Sequence, residues 1–169
     1  MKKFLLPFLA VILAACGTTG TPPQQDGAGV GDGSVQTIDT RGMSGTDLGV
    51  LTDPSSILSR RSVHFDFDSF IVRADDRPLL EAHANFLNKN RQMKVLLQGN
   101  TDERGSREYN LALGQKRADA VKQVLLLLGV SEAQIESVSL GKEKPRCLQA
   151  SETCYAENRR VDILYTGEF

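Results

Sequence analysis

No stretch of 18 or more apolar residues occurs in the 169-residue chain, so nothing in it reads as a mature membrane-spanning helix. Neither sign of charge dominates. Lys+Arg number 20 against 21 Asp+Glu, which argues against a general polyanion binder. Two His and three Cys leave little material for a metal enzyme. Aromatic residues are missing between Phe8 and Phe65, and nine of the 15 glycines crowd between Gly17 and Gly49. What is present, 40% hydrophobic and 24% charged residues, suits a folded body of one modest domain.

The first residues read as an address. Met1, Lys2 and Lys3 form a short basic region, and Phe4 to Leu13 is apolar throughout. That length is too short to span a bilayer and suits a secretory signal over residues 1–15. Leu13-Ala14-Ala15-Cys16 resembles the bacterial lipobox, in which the Cys is acylated and becomes the new N-terminus. Two or three acyl chains, at about 0.8 kcal/mol per buried CH₂, make a durable anchor. Loss of Lys2 and Lys3 leaves 18 basic against 21 acidic residues, so lipid on Cys16 rather than headgroup attraction would hold the chain. Gly17 after the lipidated Cys implies, by the sorting rule of such lipoproteins, the outer membrane.

Residues 16–57 read as the lipidated Cys and a flexible linker. Between Gly17 and Gly49 the chain has nine Gly, eight Ser/Thr and one cation, Arg41. Such a composition cannot bury enough apolar surface to offset its ordering entropy. A tether of this length has a root-mean-square reach of roughly 35–40 Å.

Residues 58–169 are enough for one hydrophobic core. Val63, Phe65 and Phe67 alternate with His64, Asp66 and Asp68, the period of a strand with one buried face. Asp75 to Asn90 predicts a helix with Pro78 in its first turn. Lys94 to Gly99 predicts a central strand. Ser106 caps a long helix to Leu128, ended by Gly129. Ser131 and Gln134 have capping-box spacing and suggest a brief helical turn before a strand near Glu136–Leu140. Arg160 to Thr166 is the closing strand, with Val161, Ile163 and Tyr165 on one face. The alternation predicts an α/β (α+β) two-layer sandwich: a small mixed sheet with helices on one side. In an oxidising compartment Cys147 and Cys154 are expected to form a disulfide, with a zinc site as the competitor.

At 100° per residue, Tyr109, Leu113, Ala120, Val121, Val124, Leu127 and Leu128 share a 120° arc of the long helix. Arg117 falls inside that arc. Its stem can pack inward while the head reaches water. Otherwise the guanidinium is desolvated and needs a partner, for which a carboxylate has the matching geometry. The polar loop Asn100 to Gly105, between strand and helix, is the candidate neighbourhood. Asp102 there reads equally as a turn residue bonding its own backbone.

Several segments carry a more specific resemblance. They are Phe65-Asp66-Phe67-Asp68, Gly99 to Gly105, Tyr109-Asn110, Leu113-Gly114, Arg117-Ala118, Gly141 to Pro145 and Asn158-Arg159-Arg160. In this order they resemble the OmpA-like peptidoglycan-binding domain. With the lipobox and tether, the chain is similar to the wall-binding lipoproteins of the Tol system. The resemblance implies a four-stranded sheet, no catalysis and no cofactor. It also implies non-covalent binding of meso-diaminopimelate in the peptidoglycan stem peptide, and roles in envelope integrity and cell division. Asp102 would receive the ligand's ammonium and Arg117 its carboxylate, with Phe67, Asp68, Thr101, Arg104 and Leu113 lining the pocket. The periplasmic propeller protein TolB is the implied protein partner, competing for the same face. The family often has His where Asn100 stands. An OmpA-like lipoprotein outside the Tol system is one rival reading. A peptidoglycan hydrolase using Asp102 and Glu103 is the other, although adjacent loop residues seldom face one bond from opposite sides.

Overall fold

The computed structural model describes residues 48–168. The expected signal peptide, Cys16 and the expected linker as far as residue 47 lie outside the described residues. Seven regular elements follow in chain order, with 3₁₀ turns between some of them: β1 (Ser62–His64), α1 (Arg77–Lys89), β2 (Val95–Asn100), α2 (Arg107–Leu127), β3 (Ile135–Gly141), α3 (Glu152–Asn158) and β4 (Arg160–Tyr165). The sheet order is β1-β4-β2-β3. β4 runs antiparallel to both β1 and β2, whereas β2 and β3 are parallel, so the sheet is mixed as expected. β2 has a neighbour on each side, the central position expected of it.

Alternation places one face of the sheet in the core. Val95 and Leu97 of β2 are fully buried, as are Val161 and Ile163 of β4, while Leu96, Gln98, Asp162 and Leu164 are half-buried on the other face. Leu79, Leu80, Ala84 and Leu87 of α1 and Ala118, Val121 and Leu125 of α2 cover this face. Leu51 and Val63 complete the cluster. Leu51 lies upstream of the boundary expected at Leu58, and its carbonyl accepts from Arg61 at 2.9 Å.

Four local expectations need correction. β1 ends at His64, so Phe67 does not continue the buried alternation and is 61% exposed. The chain leaves the strand in a turn that puts Asp68 at φ 55°, a left-handed conformation that Asp tolerates. The buried face of α2 is also rotated from the predicted arc. Asn110, Leu113, Gly114, Arg117, Ala118, Val121 and Leu125 face inward, leaving Tyr109 and Leu127 exposed. Small residues decide this, because the helix settles on the sheet through Gly114 and Ala118. Ser131 makes no side-chain cap to the turn Glu132–Gln134. Gln134 instead points inward, and its Nε2 donates to the carbonyls of Leu87, Asn90 and Met93. Finally, α3 interrupts what reads as a loop before the last strand. Cys147 and Cys154 are joined, with Cα atoms 5.3 Å apart, and tether α3 to the loop before it.

Candidate functional site

β2 delivers the polar loop 101–106 to one end of the sheet, where several contacts fix its path. Thr101 N–H donates to Gly141 O at 2.9 Å, extending the pairing with β3. Gly105 takes φ 93°, which only a glycine adopts readily. Buried Asn110 donates from Nδ2 to Arg104 O (2.8 Å) and Ser106 O (3.1 Å). Lys142 Nζ reaches Gly105 O at 2.7 Å and Glu103 O at 3.1 Å. Ser106 Oγ accepts from Tyr109 N–H and caps α2. Motif residues Asn110 and Lys142 therefore hold the loop as a rigid platform.

Asp102 is 4% exposed at the centre of that platform. Its Oδ1 accepts from Arg104 N–H (3.1 Å) and Nε–H (3.3 Å). Its Oδ2 accepts from Arg104 Nη2 (2.7 Å) and Arg159 Nη1 (3.2 Å). The short turn bond expected of an Asp is present, but two arginines dominate. Burial would raise the carboxyl's pKa, yet hydrogen bonds from Arg104 and Arg159 outweigh it and hold the group below its ordinary value. An acid so held stays ionised and is unsuited to donate a proton to a leaving group. Glu103, the second carboxylate of the hydrolase rival, accepts from Tyr155 Oη at 3.0 Å instead.

The two arginines differ in freedom. Arg159 is buried, donating from Nε to Phe65 O at 3.1 Å and pairing with Glu152 at 2.8 Å. The Arg104 side chain is 37% exposed. Its guanidinium lies over the rings of Phe67 (4.2 Å) and Tyr155 (4.5 Å) and meets Glu152 at 3.3 Å. Arg159, Glu152 and Tyr155 were not singled out from sequence as site residues. For Arg159 the Asn158-Arg159-Arg160 motif was the available signal.

Arg117 is wholly buried. Its partners are three backbone carbonyls rather than an acid. Nε donates to Ser69 O (2.8 Å), Nη1 to Asn100 O (3.0 Å) and Nη2 to Asp66 O (3.1 Å). The head also lies 5.3 Å from the Phe65 ring centroid. Burial pushes its pKa down to about 10, with the charge of Asp102 opposing the shift, so the group stays cationic at neutral pH. Guanidinium has five N–H bonds. Two are left without a partner among the described residues. The bond to Asn100 O places this head beside the strand end that carries Asp102 two residues later.

The remaining expected pocket residues fall in separate places, and the two recesses that some of them line include neither Asp102 nor Arg117. Asp68 and Leu113 line a recess of about 160 Å³ with Phe70, Tyr109 and Lys116. Thr101 lines a separate one of about 120 Å³ with Glu103, Lys142 and Tyr155. Phe67 stacks on Arg104, and Asp68 accepts from the Tyr109 hydroxyl. Asn100 is buried, its Nδ2 donating to Gln98 O at 3.0 Å and Asp162 Oδ2 at 3.3 Å. Its side chain thus faces the Arg160–Asp162–Arg146 ion pairs rather than Asp102.

The OmpA family profile matches residues 64–159. The peptidoglycan-associated lipoprotein of Pasteurella multocida is 38% identical over 164 residues, covering 97% of each chain. The crystal structure of the peptidoglycan-associated lipoprotein from Burkholderia pseudomallei superposes with TM-score 0.68 at 56% identity, covering 69% of this chain and 99% of that one. The C-terminal domain of Helicobacter pylori MotB shares the fold alone, at TM-score 0.58 and 24% identity, covering 62% of this chain and 83% of that one. By sequence and by fold, then, the chain belongs to the OmpA family, among its peptidoglycan-associated lipoproteins.

Proposed function

We propose that the domain is a non-catalytic anchor that grips meso-diaminopimelate at the free end of the peptidoglycan stem peptide. That end carries an ammonium and a carboxylate on one carbon. Asp102 receives the ammonium and Arg117 the carboxylate, while Phe67, Asp68, Thr101, Arg104 and Leu113 surround the guest. The observation that carries the reading is the pairing of an ionised, buried Asp102 with a guanidinium that has two spare N–H bonds at the same strand end. A bidentate carboxylate is the acceptor those spare donors fit. Asp66 O and Ser69 O cover the guanidinium, so the turn 66–69 must yield for the guest to enter. The wall association in the names of the relatives supports the same ligand class.

In this reading lipid on Cys16 lies in the outer membrane, the linker gives reach through the periplasm, and the domain holds the wall within the Tol system. TolB and the wall then exclude one another from the same face. The test compares stem peptides ending in meso-diaminopimelate with those carrying lysine, which lacks the distal carboxylate. Lysine leaves Arg117 unmatched and should bind at least about tenfold more weakly, given the cost of a lost charged hydrogen bond. Equal affinity would contradict the assignment.

A further inference from the structure

Asp102 presents a complication for any cationic guest. Its two oxygens already take four N–H bonds, three of them from Arg104. Leaving a buried carboxylate half-paired in the free protein would be costly. Arg104 meets that need, and in doing so stands where a ligand ammonium has to go.

We infer that Arg104 is an internal occupant of the site: its guanidinium fills the ammonium position on Asp102 in the free protein and is exchanged for the ligand's ammonium on binding. The inference rests on the reading of Asp102 as the ammonium receptor. Two observations identify Arg104, and not Arg159, as the partner that leaves. Arg159 is buried and tied to Phe65 O and Glu152, whereas the Arg104 head is partly open to solvent. Its contacts with Phe67, Tyr155 and Glu152 are made together with the Asp102 contact, so they steady the occupant, and removing one of them favours its departure. Its backbone N–H, fixed by the loop, can stay on Oδ1 while the side chain swings.

The exchange has a consequence for specificity. A cation replaces a cation, so the carboxylate is as fully paired in the complex as in the free protein. A neutral guest cannot make the replacement and must enter against an intact ion pair. The free protein is competent only in the fraction of time that Arg104 is away, which lowers the apparent affinity by that fraction.

The test titrates meso-diaminopimelate into the full-length protein in detergent, comparing wild type, Arg104→Gln and Asp102→Asn, and follows the Arg104 Nε–H resonance of the wild type. Arg104→Gln should bind about tenfold more tightly, corresponding to an occupant in place about nine-tenths of the time. The Nε–H resonance should move to the position of a solvent-exposed arginine at saturation. Tyr155→Leu, which removes one ring beneath Arg104 without touching Asp102, should tighten binding about threefold if Arg104→Gln fails to fold. Unchanged or weaker binding by these variants, or a resonance that stays in place, overturns the exchange. If Asp102→Asn still abolishes binding in that case, the wall-anchor reading stands without it. A wild-type protein that does not bind meso-diaminopimelate overturns both.

Discussion

Gly99 of β2 and Gly114 of α2 face each other with no space for a side chain between them: a Cβ on Gly114 would stand 2.9 Å from the Gly99 carbonyl oxygen. Helix and strand are therefore in backbone contact at this point. The contact sets the height of α2 over the sheet and, one turn later, aims Arg117 at the carbonyl of Asn100. Packing and candidate site share one constraint, because the residues that seat the helix also aim its buried cation.

Gly114→Ala tests that link. In an exposed helix the change would stabilise by up to about 1 kcal/mol. Here the added methyl meets both the Gly99 carbonyl and Ser139 Oγ, so overpacking should win and cost about 1–3 kcal/mol in urea unfolding. Diaminopimelate affinity should fall with it as Arg117 is displaced. Gly99→Ala should be worse, since its Cβ would meet the backbone of Gly114, with the carbonyl carbon 2.6 Å away. A stabilised Gly114→Ala protein would show that the helix has room to lift.

Arg117→Ala should do more than weaken binding. It strips three backbone carbonyls of charged donors and releases the turn 66–69 from α2. The expected cost is about 3–4 kcal/mol, within the range for breaking a buried charged network. Arg117→Lys keeps the charge but not the planar fork, so it should recover part of the stability and little of the binding. Urea unfolding and ligand titration, run on the same two variants, separate the contributions. Full stability in Arg117→Ala would mean the three carbonyls find other partners.

The sheet was legible in the sequence because Arg160–Tyr165 alternates with the period of two of a strand and Val95–Asn100 opens with the apolar run of a central one. Arg117 was legible as an anomaly, a cation within an apolar arc. Its partners were not, since the carbonyls of Ser69 and Asp66 are brought to it across about fifty residues of chain. The inward face of α2 was misjudged because apolarity points to Tyr109 and Leu127, whereas Gly114 and Ala118, with little side chain, permit the close approach that decides the matter. Phe67 read as a core residue by alternation until β1 ended early, and its ring serves Arg104 instead. The seven-residue α3 is just under two helical turns, too short for periodicity to register. Its Glu152 and Tyr155 thus escaped notice. The Arg159–Asp102 pair spans 57 positions, and no local pattern encodes it.

His83 makes acid stability a measurable property of the core. It is fully buried between Tyr165, whose hydroxyl lies 2.8 Å from Nδ1, and Arg60, whose carbonyl lies 2.9 Å from Nε2. A carbonyl only accepts, so Nε2 carries the proton and Nδ1 accepts from the hydroxyl. Burial pushes the pKa from 6.5 down to about 4, with the Arg60 carbonyl opposing and Arg61 assisting. The unfolded chain therefore binds this proton first. The contribution is full above pH 6.5 and is lost as the pH falls from there through about 4. Integrated, the loss amounts to about 3 kcal/mol. Asp102, held below its ordinary 3.8, also destabilises on acidification, but at lower pH, so the upper part of the window belongs to histidine. His64, pushed down by partial burial and by Arg73, acts in the same direction and remains in a His83 variant. His83→Gln should accordingly lower stability at pH 7.5 while flattening most of the slope between pH 6.5 and 4.5, as read from urea midpoints across that range. A slope as steep as the wild type's would assign the acid sensitivity to other groups.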